Sequence, residues 1–345
     1  MKALRIALIV GLAAIVMAGR AGAEDGTELL YVANSHGDDL TVIHLPDHRP
    51  LRSVEVGSHP HGLAASRNGQ RLYVSVESSR EILALDTATD EILWRVSVSD
   101  RPNEMALSGD GRRLFVPIRP ADYVEVIDTE EHRSIGRVEV GRSPHNALAS
   151  ADGRHIYATS MEDRQVTIID AATLKVLGTI PCGGVVRPID VSRDESRMYV
   201  ALSDLHGFVV ADILGRKVID RVLLPPAPEG VEPLEPHTPT HGLRLTPDDR
   251  LLVVTSLVGD YVGLFTVPGH KLIGTVATGK APNWMTFSHD GRICYVSNAG
   301  SDDVSAVDLS ARKEVARIKV GKTPKRLLTV VVPKRKAADQ NAGGR

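Results

Sequence analysis

The sequence predicts an all-β chain: a seven-bladed β-propeller of four-stranded antiparallel blades, closed by a composite blade that joins the two ends. Three observations predict it. A two-residue signature recurs as Tyr31-Val32, Tyr73-Val74, Phe115-Val116, Tyr157-Ala158, Tyr199-Val200, Val253-Val254 and Tyr295-Val296, at steps of 42 residues apart from one of 54. Repeats of about 40–45 residues are the mark of propeller blades. Turn signals punctuate each repeat at the short intervals that antiparallel strands require. Finally, the N-terminal repeat lacks an innermost strand, and the C-terminus ends on one.

Residues 140–181 show the plan of one blade. Val140-Gly141-Arg142-Ser143-Pro144 is a loop, and His145 to Ser150 is the innermost strand. Ala151-Asp152-Gly153-Arg154 is a hairpin turn in which glycine supplies the backbone freedom. His155 to Ser160 is the second strand, Gln165 to Asp170 the third and Leu174 to Pro181 the outer one. Aspartates at the end of the third strand (Asp86, Asp128, Asp170, Asp212, Asp308) recur with the blades, which argues for strand-end hydrogen bonds rather than acid–base chemistry. In the first repeat, Leu29 to Asn34 is already a second strand, and Lys325 to Val332 is the strand it lacks. Pairing the two joins 325–332 to 29–57 and removes exposed edges.

The domain plan is therefore an export signal at 1–23, one propeller at 24–333 and a disordered basic tail at 334–345. Lys2 and Arg5, the apolar run Ala7 to Ala18 and the small-residue site Ala21-Gly22-Ala23 make a cleaved signal, with Glu24 as the mature start. An uncleaved anchor is the alternative. The run is short for a membrane span, so a periplasmic or secreted protein without stable membrane insertion is expected. A formal charge of −2 excludes a global basic field for nucleic acid. Cys182 and Cys294 fall in different blades, so no disulfide is expected, and there is no Cys-x-x-Cys-His haem attachment.

These repeats resemble the YVTN-repeat β-propeller family, through Val-Gly-x-x-Pro before the inner strand, the Ser-x-Asp-Gly-type turn, the Tyr-Val second strand and the Val-Ile-Asp third strand. The resemblance covers residues 29–332. It implies a ring with a central channel; relatives serve as scaffolds, redox-enzyme subunits, haem-handling proteins and hydrolases, so it does not settle activity.

The repeat also predicts a site. Twelve residues before each signature lie His61, Asn103, His145, Arg187, His241 and Asn283, with Lys325 completing the series. All are polar, and a propeller brings them to one axis. His61, His145 and His241, in alternate blades, are the ligand set of an open zinc site; copper also suits imidazole. The next position adds Glu104, Asn146, Trp284 and Arg326. Glu104 is the acid–base candidate and Arg187 the substrate anchor of a metal-dependent lyase or hydrolase. Asn103, Asn146, Arg187, Asn283, Trp284, Lys325 and Arg326 are the ligand-binding candidates, and their cations suit a small organic anion. The bland alternative is a solvated rim. The single long step falls in Pro225 to Thr240, a proline-rich insertion leading into His241 on the same face; His36, His206 and His237 are further histidines there. The functional expectation is a binding or interaction module for a small anion or a periplasmic protein partner. The alternatives are the three-His enzyme and, from the resemblance, a haem- or tetrapyrrole-handling accessory of a periplasmic redox system. A divalent transition metal (Zn or Cu) is the first cofactor candidate and haem the second.

Overall fold

The computed structural model describes residues 26–226, 229–231, 233–234 and 237–334. The segment 1–23, expected from the sequence to be an export signal, and the tail beyond Lys334 lie outside the described residues. Seven four-stranded sheets form the blades, each ordered from the axis outwards. The composite sheet runs Pro324–Pro333, Gly26–Asn34, Asp39–His44, Arg49–Glu55. Its two terminal strands pair antiparallel, with Tyr31 opposite Leu328 and Leu29 opposite Val330. The other blades span 60–97, 106–139, 144–181, 186–223, 240–277 and 282–319. They are numbered two to seven here, with the composite as blade one.

The packing explains the signature. Second and third strands are covered on both faces by neighbouring blades, so Tyr-Val and Val-Ile runs are buried throughout, whereas outer strands alternate with solvent. Seven apolar clusters result, one between each pair of neighbouring blades, the last joining blade seven to blade one through Trp284, Tyr295, Leu30 and Leu327. Each signature tyrosine keeps its ring in such a cluster, and Tyr31 and Tyr157 send their hydroxyls to a polar partner. Tyr31 Oη, for example, donates to the Thr87 carbonyl of the next blade at 3.3 Å. The strand-end aspartates do structural work as expected: Asp86 accepts from the amides of Ala88 and Thr89, and Asp170 from those of Ala172 and Thr173. Cys182 and Cys294 are both buried free thiols.

Blade three departs from the plan. Its innermost strand shrinks to Ala106–Leu107, with isolated bridges at Pro102–Ile118 and Glu104–Asn146. The reason is Pro117, which stands two residues after the signature where blades two and four carry Ser75 and Thr159. Those hydroxyls hold the amides of Gly62 and Asn146. Proline offers no such group, and Asn103 Oδ1 accepts from the Glu104 amide instead, at 2.9 Å. Among the described residues no helix is long and apolar enough to cross a membrane.

Candidate functional site

The predicted residues gather because the inner strands bulge at one place. Pairing between first and second strands slips between Pro60 and Leu63, Pro144 and Ala147, Val186 and Ile189, Thr240 and Leu243, and Pro282 and Trp284. A bulge re-aims side chains out of the ladder, here at the two positions singled out from the sequence. Their freed amides are satisfied by second-strand hydroxyls: Gly62 by Ser75 at 2.7 Å, Gly242 by Thr255 at 2.8 Å, Trp284 by Ser297 at 3.1 Å. Gly62 and Gly242 are required for close approach. A Cβ on Gly62 would lie 2.5 Å from the Asn103 carbonyl oxygen, and one on Gly242 2.6 Å from that of Asn283.

The site is far drier than a solvated rim. Asn103 and Asn283 are fully buried, and His145, His241, Asn146, Arg187, His61, Glu104 and Trp284 are all buried. Lys325 is half-buried at the opening, its carbonyl held by Ser297 Oγ. At the floor, Arg326 reaches from the closing strand to blade three. Its Nε donates to Glu104 Oε2 at 3.0 Å, its Nη1 to Asn283 Oδ1 at 3.3 Å, and its guanidinium lies 4.1 Å over the Trp284 ring. Burial pushes the Glu104 carboxyl up to about 7 against the opposing pull of Arg326 and Arg244. Nearer the opening, Arg187 donates from Nε to Ser203 Oγ at 2.6 Å, from Nη2 to Thr238 Oγ1 at 3.1 Å and from Nη1 to His145 Nε2 at 3.1 Å. The other nitrogen of His145 meets Asn146 Oδ1.

All three candidate histidines reach the cluster, and burial holds each well below its ordinary value, reinforced by Arg326 and Lys325 around His61, Arg187 and Arg326 around His145, and Arg326 and Arg187 around His241. They are neutral imidazoles, the form a metal requires. Their arrangement is uneven. The His145 and His241 rings stand 6.0 Å apart, but both nitrogens of His145 are engaged, and His241 Nδ1 donates to the Asn283 carbonyl at 3.1 Å. His61 Nε2 lies 3.8 Å from Glu77 Oε1. Among the described residues no group of three or more His, Cys, Asp or Glu is placed to hold a metal ion. His36 and His206 instead bond Thr323 and Ser256, and His237 is exposed.

Four buried polar atoms of the site have no hydrogen-bond partner among the described residues: His61 Nδ1, Asn103 Nδ2, Asn283 Nδ2 and, beside His61, the acceptor Glu77 Oε1. The two amide nitrogens are donors. Sequence reasoning missed a second ring above the first, four residues after each signature. It supplies Glu77 beside His61, Ser203 on Arg187, and Arg119, whose charge acts on both His61 and His145. Among the described residues Arg119 makes no side-chain hydrogen bond or ion pair, and it lines an adjoining cleft of about 350 Å³ with Asp122, Arg142 and Glu162. The fixed offset from the signature was the signal available for this ring. Thr238, at the end of the insertion, had none.

The sequence model of the YNCE-like β-propellers matches residues 64–240. This chain belongs to the YNCE-like β-propeller family. Among solved structures, this YNCE-like propeller is similar to Kuenenia stuttgartiensis hydrazine synthase, at 18% identity and TM-score 0.71 over 87% of this chain and 99% of that one. It is similar to the periplasmic gluconolactonase PpgL of Pseudomonas aeruginosa at 22% identity and TM-score 0.69, over 89% and 99%. It also resembles the dihydro-heme d1 dehydrogenase NirN, solved in complex with DHE, at 14% identity and TM-score 0.64, over 92% and 78%. At such identities the likeness establishes the shared propeller fold alone, one consistent with a binding or interaction module. No curated protein matches the chain in sequence.

Proposed function

We propose that this protein is an exported binding module whose channel-mouth cluster holds a small organic anion. The observation that carries the reading is the pair of buried, unsatisfied donors, Asn103 Nδ2 and Asn283 Nδ2. A buried polar group without a partner costs about 1–3 kcal/mol, and a ligand bearing acceptor oxygens would relieve two at once. Arg187, Arg326, Lys325 and Arg119 surround those donors with positive charge. Among the described residues the carboxylates facing them are Glu104, half-neutralised near pH 7, and Glu77. Guanidinium and amide N–H groups suit carboxylate or phosphate oxygens.

A second reading, a metal-dependent lyase or hydrolase, is favoured by Glu104, because a carboxyl near 7 is poised for proton transfer. It needs zinc or copper on His61, His145 and His241, and His145 would first have to release Arg187. Tetrapyrrole handling is the third. One purified sample separates them. Calorimetric titration with succinate and with inorganic phosphate should show saturable binding that weakens with salt and is lost in Arg187→Ala. Stoichiometric zinc or copper lost in His145→Ala, without anion binding, would overturn the module reading in favour of the enzyme. A Soret band in the visible spectrum would overturn it in favour of tetrapyrrole handling.

A further inference from the structure

We infer that His145 is a positioning residue: as the neutral Nδ1–H tautomer, seated on Asn146, it accepts a hydrogen bond from Arg187 and fixes where that guanidinium points. The inference rests on the anion-binding reading above, which gives the aim of Arg187 its purpose.

The direction of each bond follows from donor chemistry. A guanidinium carries five N–H donors and no acceptor, and it stays protonated. The 3.1 Å contact between Arg187 Nη1 and His145 Nε2 can therefore be a hydrogen bond only if Nε2 presents its lone pair. A neutral imidazole with an acceptor at Nε2 carries its single proton on Nδ1. That proton needs an acceptor, and Asn146 Oδ1, on the following residue, sits against Nδ1. Asn146 is held in turn through its amide by Thr159 Oγ1 at 2.9 Å. The relay thus runs from Thr159 through Asn146 and His145 to Arg187, with one consistent set of protons.

Arg187 is fixed at all three of its nitrogens by described residues, each on a different element: Ser203 after the second strand of its own blade, Thr238 before blade six, and His145 on the inner strand of blade four. The first two grip Nε and Nη2, and the third engages Nη1 from another blade. The groups whose charge or titration bears on the His145 ring are Arg187, Arg326, His241 and Arg119, and with burial they keep it neutral. Sequence reading made His145 one of three candidate metal ligands; the bonds at both its nitrogens give it a different occupation.

The test uses the full chain with inorganic phosphate as the probe. His145→Leu removes the acceptor at near-constant bulk, whereas His145→Gln restores one, its amide oxygen meeting Arg187 and its amide nitrogen meeting Asn146. Phosphate affinity should fall about 10-fold or more in His145→Leu and stay within about 2-fold of wild type in His145→Gln. Equal behaviour of the two variants, either both binding like wild type or both losing the ligand, would sink the inference while Arg187→Ala still reports on the anion site. A ligand-free readout covers failure of the anion reading itself. Long-range proton–nitrogen NMR of the His145 ring should show a protonated Nδ1 and an unprotonated Nε2 whose shift moves in Arg187→Ala. A protonated Nε2, or an Nε2 indifferent to Arg187→Ala, overturns the assignment whether or not phosphate binds.

Discussion

Replacing Glu104 by glutamine asks which force governs the floor of the site. Glu104 is 9% exposed and paired with Arg326 at 3.0 Å, yet its carboxyl lies at about 7 against an unperturbed 4.5. Desolvation therefore outweighs the attraction of the ion pair. The sign follows from proton counting. Between pH 4.5 and about 7 the folded chain keeps a proton on Glu104 that the unfolded chain has lost, so this group's contribution to stability declines as pH rises through that window. At about 1.4 kcal/mol for each pH unit, the interval comes to about 3 kcal/mol. Glutamine mimics the protonated acid, retains an oxygen for Arg326 Nε and does not titrate. The stability difference between Glu104→Gln and wild type should therefore move by about 3 kcal/mol in favour of glutamine between pH 4 and pH 9. Denaturant titrations of both proteins across that range measure it, and the other carboxylates cancel in the difference. A flat difference, or one moving in favour of wild type at high pH, would refute the argument by showing that Coulomb attraction to Arg326 prevails over burial.

Other predictions concern the frame around the same residues. Arg326→Ala should cost about 3–5 kcal/mol near pH 8, the usual penalty for orphaning a buried charge, and less below pH 6, where Glu104 is neutral; melts at the two pH values check this. Gly62→Ala drives a Cβ to 2.5 Å from a backbone oxygen, an overpacking that costs about 1–3 kcal/mol, and a wild-type melting temperature would contradict it. Ser75→Ala strands the Gly62 amide, with a loss of about 1–3 kcal/mol in chemical unfolding. The chain has two tryptophans, so Trp94→Phe leaves Trp284 as the sole reporter. Adding Arg326→Met should then shift its emission as the cation leaves the ring, and an unchanged spectrum would mean that the guanidinium does not lie there.

Period and pattern determined most of the architecture. Seven signatures, at steps of 42 residues apart from one of 54, dictate blade number, because each Tyr-Val strand must be covered on both faces and only a closed ring of neighbours does that for all. The absent first strand and the surplus last one dictate the closure, which the pairing of Pro324–Pro333 with Gly26–Asn34 realises with slightly longer strands than expected. The same periodicity brought eleven candidate residues to one cluster, from His61 in blade two to Arg326 on the closing strand. The short inner strand of blade three was legible too, had the proline at position 117 been weighed.

What the sequence could not decide is how those residues are occupied. Burial is a property of the assembled ring, so a residue series consistent with a wet rim becomes a dry cluster only once seven inner strands converge. The bonds that define the chemistry run between distant blades: Arg326 to Glu104, Arg187 to Thr238, His241 to the carbonyl of Asn283. Their lengths depend on bulges, on glycines that admit a neighbouring backbone and on the angle between blades. An offset of 12 residues places a histidine at the hub; only the three-dimensional packing determines whether its nitrogens face an open space or an arginine.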